Sequence, residues 1–309
     1  QMIGFRNNAG DAYRKRMNIR AGGFIKLNMA KGLTFNGDYT FTYRAGRYKG
    51  VGLMEDLVNT WSLQGTYDKQ GNLVSEFTHG AINSSTFIET ENTHYYNHVA
   101  NMYFNYNGSW NGNNLNVMVG ANIDKDEYEY LYYERHDLLS TNKHELHLTG
   151  SDYNYSHSHP HNGSVGIFGR INYDYKGIYL VELSARADAS SKFPSHTQWA
   201  FFPSGSLGYR ISEEAYFADA KQYVSNLKLR ASYGTIGNQE IGSYMFLETM
   251  NKGQVSLLGA GDSKYYYFGT PNLVDPTLTW ETIATTNVGI DLGFFNNDLN
   301  VNFDWYQRD

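Results

Sequence analysis

Three stretches of the 309-residue chain gather side chains suited to holding a ligand. THYYNH (Thr93 to His98) carries Tyr95 and Tyr96; DEYEYLYYERHD (Asp126 to Asp137) carries Tyr128, Tyr130, Tyr132 and Tyr133; KYYYF (Lys264 to Phe268) carries Tyr265, Tyr266 and Tyr267. A tyrosine offers a flat apolar ring with a hydroxyl at its tip. Such rings stack on the apolar faces of sugars, while Asp, Asn and Arg hydrogen-bond sugar hydroxyls, so these tyrosines are candidate ligand contacts. The same residues also serve as amphipathic anchors that pack loops together. SHSHPH (Ser156 to His161) sets His157, His159 and His161 on alternate positions, one side of an extended chain. Zinc asks for a full tetrahedral ligand set, and the chain has no Cys, so a polar surface loop is expected there and no metal. Nothing is laid out for catalysis. Gly-x-Ser-x-Gly, His-Glu-x-x-His and a phosphate loop are all missing from the sequence, and its carboxylates do not read as a glycosidase pair. The expectation is a protein that is not an enzyme and needs no cofactor.

Charged residues are 18% and hydrophobic ones 41% of the chain, which argues against both disorder and a strongly apolar helical bundle. No run of about 18 apolar residues occurs, so no transmembrane helix is expected. A mean hydropathy of −0.55 is compatible with a membrane β-barrel, whose strands are only half apolar. The 27 Tyr and 31 Gly against 5 Pro suit strands, membrane interfaces and tight turns. A net charge of −6 gives no electrostatic case for nucleic acid.

Alternation supplies the frame. About ten segments place apolar residues on every second position. They run Ile19 to Met29, Leu33 to Tyr43, Ala100 to Tyr106, Leu115 to Ile123, Val165 to Tyr175, Tyr179 to Ala187, Phe201 to Tyr209, Leu227 to Tyr233, Ala284 to Phe294, and a last one from Leu299. In Tyr179 to Ala187, the apolar set Tyr179, Val181, Leu183, Ala185 and Ala187 opposes Glu182, Ser184, Arg186 and Asp188. In the last segment, Leu299, Val301, Phe303 and Trp305 oppose Asn300, Asn302 and Asp304. SEEAYFADAKQYV (Ser212 to Val224) is the exception and reads as a short helix, with Ser212 as its cap and Glu213 and Glu214 in its first turn.

The connections alternate in length. AKG, NGSWNGN, DYKG, the short helix and FNND are compact; roughly 45–91, 132–162, 190–198 and 236–279 are longer. Strands that cross, return and turn tightly at one end only match an outer-membrane barrel with short periplasmic turns and long extracellular loops. Arg20, Lys26, Asp38, Arg170, Glu182, Arg186, Asp188, Lys228, Arg230 and Asp291 all fall on the polar phase, which a barrel would turn toward its lumen. Aromatic groups such as Tyr39, Phe41 and Tyr43, or Tyr173, Tyr175 and Tyr179, fit interfacial girdles. The fold expected is all-β: an antiparallel transmembrane β-barrel segment of about ten strands.

Four stretches in the second half carry a family resemblance: GRINYDYKGIYLVELSARADASSKF (Gly169 to Phe193), WAFFPSGSLGYRISEEAYF (Trp199 to Phe217), LKLRASYGTIGNQEIGSY (Leu227 to Tyr244) and LTWETIATTNVGIDLGFFNNDLNVNFDWY (Leu278 to Tyr306). In that order and spacing they resemble SusC/RagA-type TonB-dependent transporters of Bacteroidota. The resemblance implies a barrel of about 22 strands, a plug inside it, a segment that contacts TonB, and a SusD-like surface lipoprotein that closes the mouth as a lid. It implies uptake of oligosaccharides or oligopeptides across the bacterial outer membrane, driven through TonB. Residues 1–309 would then be a partial barrel domain, with the plug and the remaining strands outside it. The opening QMIGFRNNAG has no initiator Met and no signal-peptide pattern, which fits a start inside a longer chain or a removed signal. The motifs are expected to be architectural. Trp280 and Glu281 would start a strand, and Arg170, Glu182, Arg186, Asp188, Arg230, Asn287 and Asp291 would line the lumen. The tyrosines would meet substrate or lid. Import of glycan fragments is the function expected, as in polysaccharide utilisation by a SusCD complex. The alternatives are a RagA-type peptide importer, a barrel that binds or adheres without transport, and a soluble carbohydrate-binding β-protein.

Overall fold

The computed structural model describes residues 10–52, 57–58, 81–82, 86–140, 142–150, 153–256 and 264–309. In chain order its strands are β1 (Asp11–Ala30), β2 (Leu33–Gly52), the two-residue β3 (Leu57–Val58) and β4 (Ala81–Ile82), β5 (Phe87–Trp110), β6 (Asn113–His136), β7 (Asn154–Ser158) and β8 (His161–Tyr175), followed by β9 (Tyr179–Ser190), β10 (Trp199–Arg210), β11 (Val224–Asn238), β12 (Met250–Ser256), β13 (Lys264–Pro271), β14 (Glu281–Phe294) and β15 (Leu299–Arg308). One antiparallel sheet takes ten of them in the order β1-β2-β5-β6-β8-β9-β10-β11-β14-β15, with β7 added to β6. These ten are the ten alternating segments of the sequence. Among the described residues, β1 and β15 each have a single neighbour in the sheet. The pairs β3–β4 and β12–β13 form two further sheets of two antiparallel strands each.

The residues divide into two compact units: 1–20, 42–96 and 127–160 in one, and 21–41, 97–126 and 161–309 in the other. The first holds the ends of β1, β2, β5 and β6 farthest along the chain from their tight turns. The second holds the turn-proximal parts and β8 to β15.

Register explains why the second unit is two-faced. Val181 lies opposite Leu207, Leu207 opposite Ala231, Ala231 opposite Val288 and Val288 opposite Trp305. One residue along, Glu182, Ser206, Ser232, Asn287 and Tyr306 make a polar row across the same strands. The side-chain period is two, so a one-residue slip of any strand would put its polar set into the apolar row. The apolar row has no protein over it: Leu207 is 60% and Trp305 53% exposed. The only buried hydrophobic side chains among the described residues are Val51, Ile88, Phe193 and Phe202. Across β9, β10, β11, β14 and β15 the apolar face is therefore left uncovered, with few buried hydrophobic side chains among the described residues.

Two expectations need correction. The strands reach well into the stretches read as long loops, because β2 runs to Gly52, β5 begins at Phe87 and β6 continues to His136. The helix expected at 212–224 is instead two 3-10 turns, Ile211–Glu213 and Ala215–Phe217, followed by further turns. Ser212 is buried inside the first of them and does not cap it. An isolated helix of this length has little intrinsic stability, and local bonds favour the turns. Glu214 accepts from the hydroxyls of Tyr179 (2.6 Å) and Tyr209 (3.2 Å), and the Tyr179 and Tyr209 rings stack at 5.2 Å.

The tight links are made by left-handed residues. Asn111 (φ 47°) and Gly112 (φ 79°) join β5 to β6, the signature of a two-residue hairpin loop with positive φ at both positions. Gly32 (φ 78°) turns β1 into β2, and its carbonyl accepts from the Asn107 N–H at 2.8 Å. A Cβ on Gly112 would touch only the flexible Lys176 side chain at 3.0 Å, whereas one on Gly32 would strike the Asn107 carbonyl. Gly112→Ala is therefore expected to destabilise by about 1–2 kcal/mol, the left-handed penalty alone, and Gly32→Ala by clearly more. Urea unfolding midpoints of the two variants test this, and equal shifts would contradict the steric argument.

Candidate functional site

In the second unit the polar face is organised by two arginines. Arg186 on β9 donates through Nε to both oxygens of Asp188 at 2.7 and 2.6 Å, and through Nη2 to Asn122 on β6 at 2.6 Å. Arg230 on β11 donates through Nε to Asp291 on β14 at 3.0 and 3.1 Å, and through Nη2 to Asp304 on β15 at 2.9 Å. Charge-assisted forks of this kind are the stronger class of hydrogen bond. Gly166 makes room for the first group, since a Cβ there would collide with Arg186, Asp188 and Asn122. Arg170 and Glu182 sit 4.0 Å apart, and both are well exposed. Asn287 joins Glu182 and Arg230 in lining a cleft of about 560 Å³ whose other walls mix Asn and Ser side chains with aliphatic ones such as Leu115 and Leu180. The seven residues expected to line a lumen, Arg170, Glu182, Arg186, Asp188, Arg230, Asn287 and Asp291, share one face of the sheet.

The first unit holds six of the nine candidate tyrosines, and they stand on strands. Tyr95 and Tyr96 belong to β5; Tyr128, Tyr130, Tyr132 and Tyr133 belong to β6. Their expected place in loops is thus corrected to the far ends of long strands. Alternation then sorts them. Tyr95 and Tyr128 line one cleft of about 480 Å³ together with Arg16, Asn18, Arg44 and Thr93. The Arg44 guanidinium lies over the Tyr95 ring at 5.2 Å. Glu89 accepts from Tyr48 at 2.9 Å and from Tyr132 at 3.0 Å. Burial, reinforced by the Glu89 hydrogen bond, pushes the Tyr132 hydroxyl above its ordinary pKa, so it stays a neutral donor. Tyr96 packs its ring 5.0 Å from Tyr43, whose hydroxyl meets His94 at 2.9 Å. Tyr130 lies opposite Ser158 and Tyr133 opposite Tyr155 in the β6–β7 ladder.

In the second unit, Tyr265, Tyr266 and Tyr267 lie on β13 opposite Val255, Gln254 and Gly253. Lys252 Nζ sits 3.9 Å over the Tyr266 ring. The histidines of SHSHPH are engaged separately. His157 and His159 approach Glu129 (3.9 Å) and Glu127 (2.9 Å) on β6, and His161 bonds the Tyr244 hydroxyl at 2.7 Å. No cluster of three or more His, Cys, Asp or Glu able to hold a metal occurs among the described residues.

Sequence reasoning placed Trp280 at the start of a strand but missed what it does. Its ring stands 5.3 Å from Phe193 and 5.6 Å, edge-on, from Phe202. Its Nε1 donates to the Gln198 carbonyl at 2.9 Å, Thr197 Oγ1 donates to Leu278 O at 2.7 Å, and Thr279 Oγ1 donates to Thr197 O at 3.0 Å. Phe193 is 2% exposed at the centre. This small core ties the β9–β10 connection to the segment leading into β14. Its signal was present in the sequence as SSKF, WAFF and LTWE, but the three stretches are too far apart in the chain for periodicity to join them.

Comparison with known proteins follows the same lines. A family model described as "TonB dependent receptor-like, beta-barrel" matches residues 4–309. TonB-dependent receptor P39 of Formosa agariphila is 30% identical over 92% of this chain and 25% of its own length. TonB-dependent receptor SusC of Bacteroides thetaiotaomicron is 32% identical over 69% of this chain and 21% of its own length. Among solved structures, the RagAB peptide transporter superposes on 99% of this chain and 31% of its own, with a TM-score of 0.80 at 20% identity, a likeness of fold. The chain thus spans about a quarter of the curated relatives it matches.

The Phe193–Trp280 core carries a prediction. Trp280→Ala is expected to destabilise by about 2–3 kcal/mol, below the roughly 3–5 kcal/mol of a fully buried aromatic because Trp280 is only part-buried. Trp280→Phe, which keeps a ring and drops the indole N–H, is expected to lose about 1 kcal/mol. Thermal unfolding checks the order, and limited proteolysis should show 191–198 and 272–280 becoming cleavable only in Trp280→Ala.

Proposed function

The chain belongs to the TonB-dependent receptor β-barrel family, and from that premise we propose that it is part of the wall of an outer-membrane active importer of oligosaccharides. Receptors of this family are outer-membrane β-barrels of Gram-negative bacteria, transporters rather than enzymes. On this reading the sheet is completed by further strands into a larger barrel, a plug occupies the lumen, and TonB supplies the energy. A SusD-like lipoprotein covers the mouth. The outward apolar rows face lipid, and the ion-paired rows face the lumen, where each charge has water or a partner.

The observation that carries the oligosaccharide reading is the Tyr95–Tyr128 cleft. A transmembrane strand needs about 9–11 residues, and β5 and β6 have 24 each. Tyr95 and Tyr128 lie about 15 residues from the β5–β6 turn, roughly 38 Å of height at about 3.3 Å per residue and 40° tilt, against an apolar band of about 25 Å. On this reading the cleft lies on the lumen-side wall past the apolar band, on the side from which substrate arrives, and it offers rings and hydrogen-bonding groups together.

Cells carrying the full-length protein should accumulate labelled oligosaccharide, and should stop doing so when TonB is removed. Accumulation of oligopeptides instead would make it a peptide importer; surface binding indifferent to TonB would make it an adhesin. The orientation of the sheet has its own test. Leu183 lies on the apolar face opposite Gly205, about four residues from the β8–β9 turn. Leu183→Arg should destabilise the barrel by about 2–4 kcal/mol, the penalty near mid-bilayer. Ser206→Arg, on the polar face opposite Glu182, should be tolerated. Heat-modifiable gel migration reads both, and equal tolerance would sink the assignment of faces.

A further inference from the structure

We propose that the cleft lined by Arg16, Asn18, Arg44, Thr93, Tyr95 and Tyr128 is a subsite for an acidic sugar, whose carboxylate or sulfate ester is held by Arg16 and Arg44 while its ring lies against tyrosine. The inference rests on the oligosaccharide-importer reading and adds the charge of the substrate to it.

The argument begins with how the chain treats its other arginines. On the same kind of polar face, Arg186 is neutralised by Asp188, and Arg230 by Asp291 and Asp304. Arg16 and Arg44 are different: among the described residues neither has a carboxylate within ion-pair distance, and no Asp or Glu lines the cleft. Glu89 on the same strand as Tyr95 is engaged by the hydroxyls of Tyr48 and Tyr132. Glu91 is near enough to act electrostatically on Tyr128 but is not part of the lining. The cleft thus concentrates two positive charges that have no ion-paired carboxylate among the described residues, in a concavity where a ligand's anion would be focused.

Its shape fits a sugar acid. The volume of about 480 Å³ lies within the usual range for small-ligand sites. Arg44 is held over the Tyr95 ring at 5.2 Å, which orients the guanidinium and leaves its N–H edge free to fork onto a carboxylate or sulfate. Gly46 belongs to the lining. Thr93 Oγ1 donates to its carbonyl at 3.5 Å, and a Cβ at Gly46 would collide with that hydroxyl. The absence of a side chain there keeps the cleft open between Arg44 and Tyr48. Asn18, Thr93 and the tyrosine rings offer hydrogen-bonding groups and flat surfaces. Met17 and Ala45 are the only aliphatic residues in the lining.

The test uses the full-length transporter in detergent and four probes: oligogalacturonate, its carboxyl-reduced neutral counterpart, a sulfated galactan oligosaccharide and an oligoglutamate peptide. Isothermal titration should show an acidic oligosaccharide bound at least tenfold more tightly than the neutral one; whichever of uronate and sulfate is preferred identifies the anionic group. In Arg16→Gln, Arg44→Gln and the double variant that preference should shrink stepwise toward unity, with neutral binding retained as proof that the protein is folded. Equal affinity for acidic and neutral oligosaccharides would overturn this inference and leave the importer reading standing. So would an acid preference that survives the double variant. Binding of oligoglutamate alone, or of no oligosaccharide at all, would overturn both.

Discussion

Everything in this structure depends on register. Ten strands hydrogen-bonded in chain order share one alternation, and that alternation decides which side chains meet. The row Val181, Leu207, Ala231, Val288 and Trp305 is apolar only because five strands agree on phase. The adjacent row then collects Glu182, Ser206, Ser232 and Asn287 without any further instruction. The ion pairs follow from the same constraint. Arg230 reaches Asp291 and Asp304, 61 and 74 residues away in sequence, because β11, β14 and β15 are neighbours in phase.

Alternation was also the part most legible in the sequence. Tyr179 to Ala187 could be read as a strand because its apolar and polar sets separate cleanly. The extensions of β5 and β6 could not. THYYNH puts a tyrosine on each phase among polar residues, and DEYEYLYYERHD mixes tyrosines with charges on both phases; on the importer reading these stretches lie past the apolar band, where neither face has to be greasy. The backbone ladder continues there while its hydrophobic signature stops, and a reading based on hydrophobicity ends the strand too early. At 212–224 the opposite error arose. Two acidic residues after a serine suggested a helix start, but no buried face supports a helix, and the hydroxyls of Tyr179 and Tyr209 hold Glu214 in a turn. The Phe193–Trp280 core and the pairing of Arg186 with Asn122 join distant segments, and no local pattern could announce them.

The two kinds of arginine separate anchoring from recognition. Where a guanidinium is bound by carboxylates on neighbouring strands, its work is internal: it fixes the polar face and fills space that glycine leaves, as Gly166 does beside Arg186. A ligand would have to displace an existing charge-assisted bond to use it. Arg16 and Arg44 impose no such exchange.

Rigidity is what the long strands add to that distinction. A binding group on a loop loses conformational freedom when it captures a ligand, roughly 0.5–1.5 kcal/mol for each flexible side chain ordered. Tyr95 and Tyr128 instead project from strands of 24 residues, and Arg44 is already stacked on Tyr95. On the importer reading, side chains carried on strands that outlast the apolar band are pre-positioned for an arriving substrate. The same hydrogen-bonded ladder that crosses the membrane on the importer reading also holds the recognition surface above it. A change in register among β1, β2, β5 and β6 would then damage insertion and binding together.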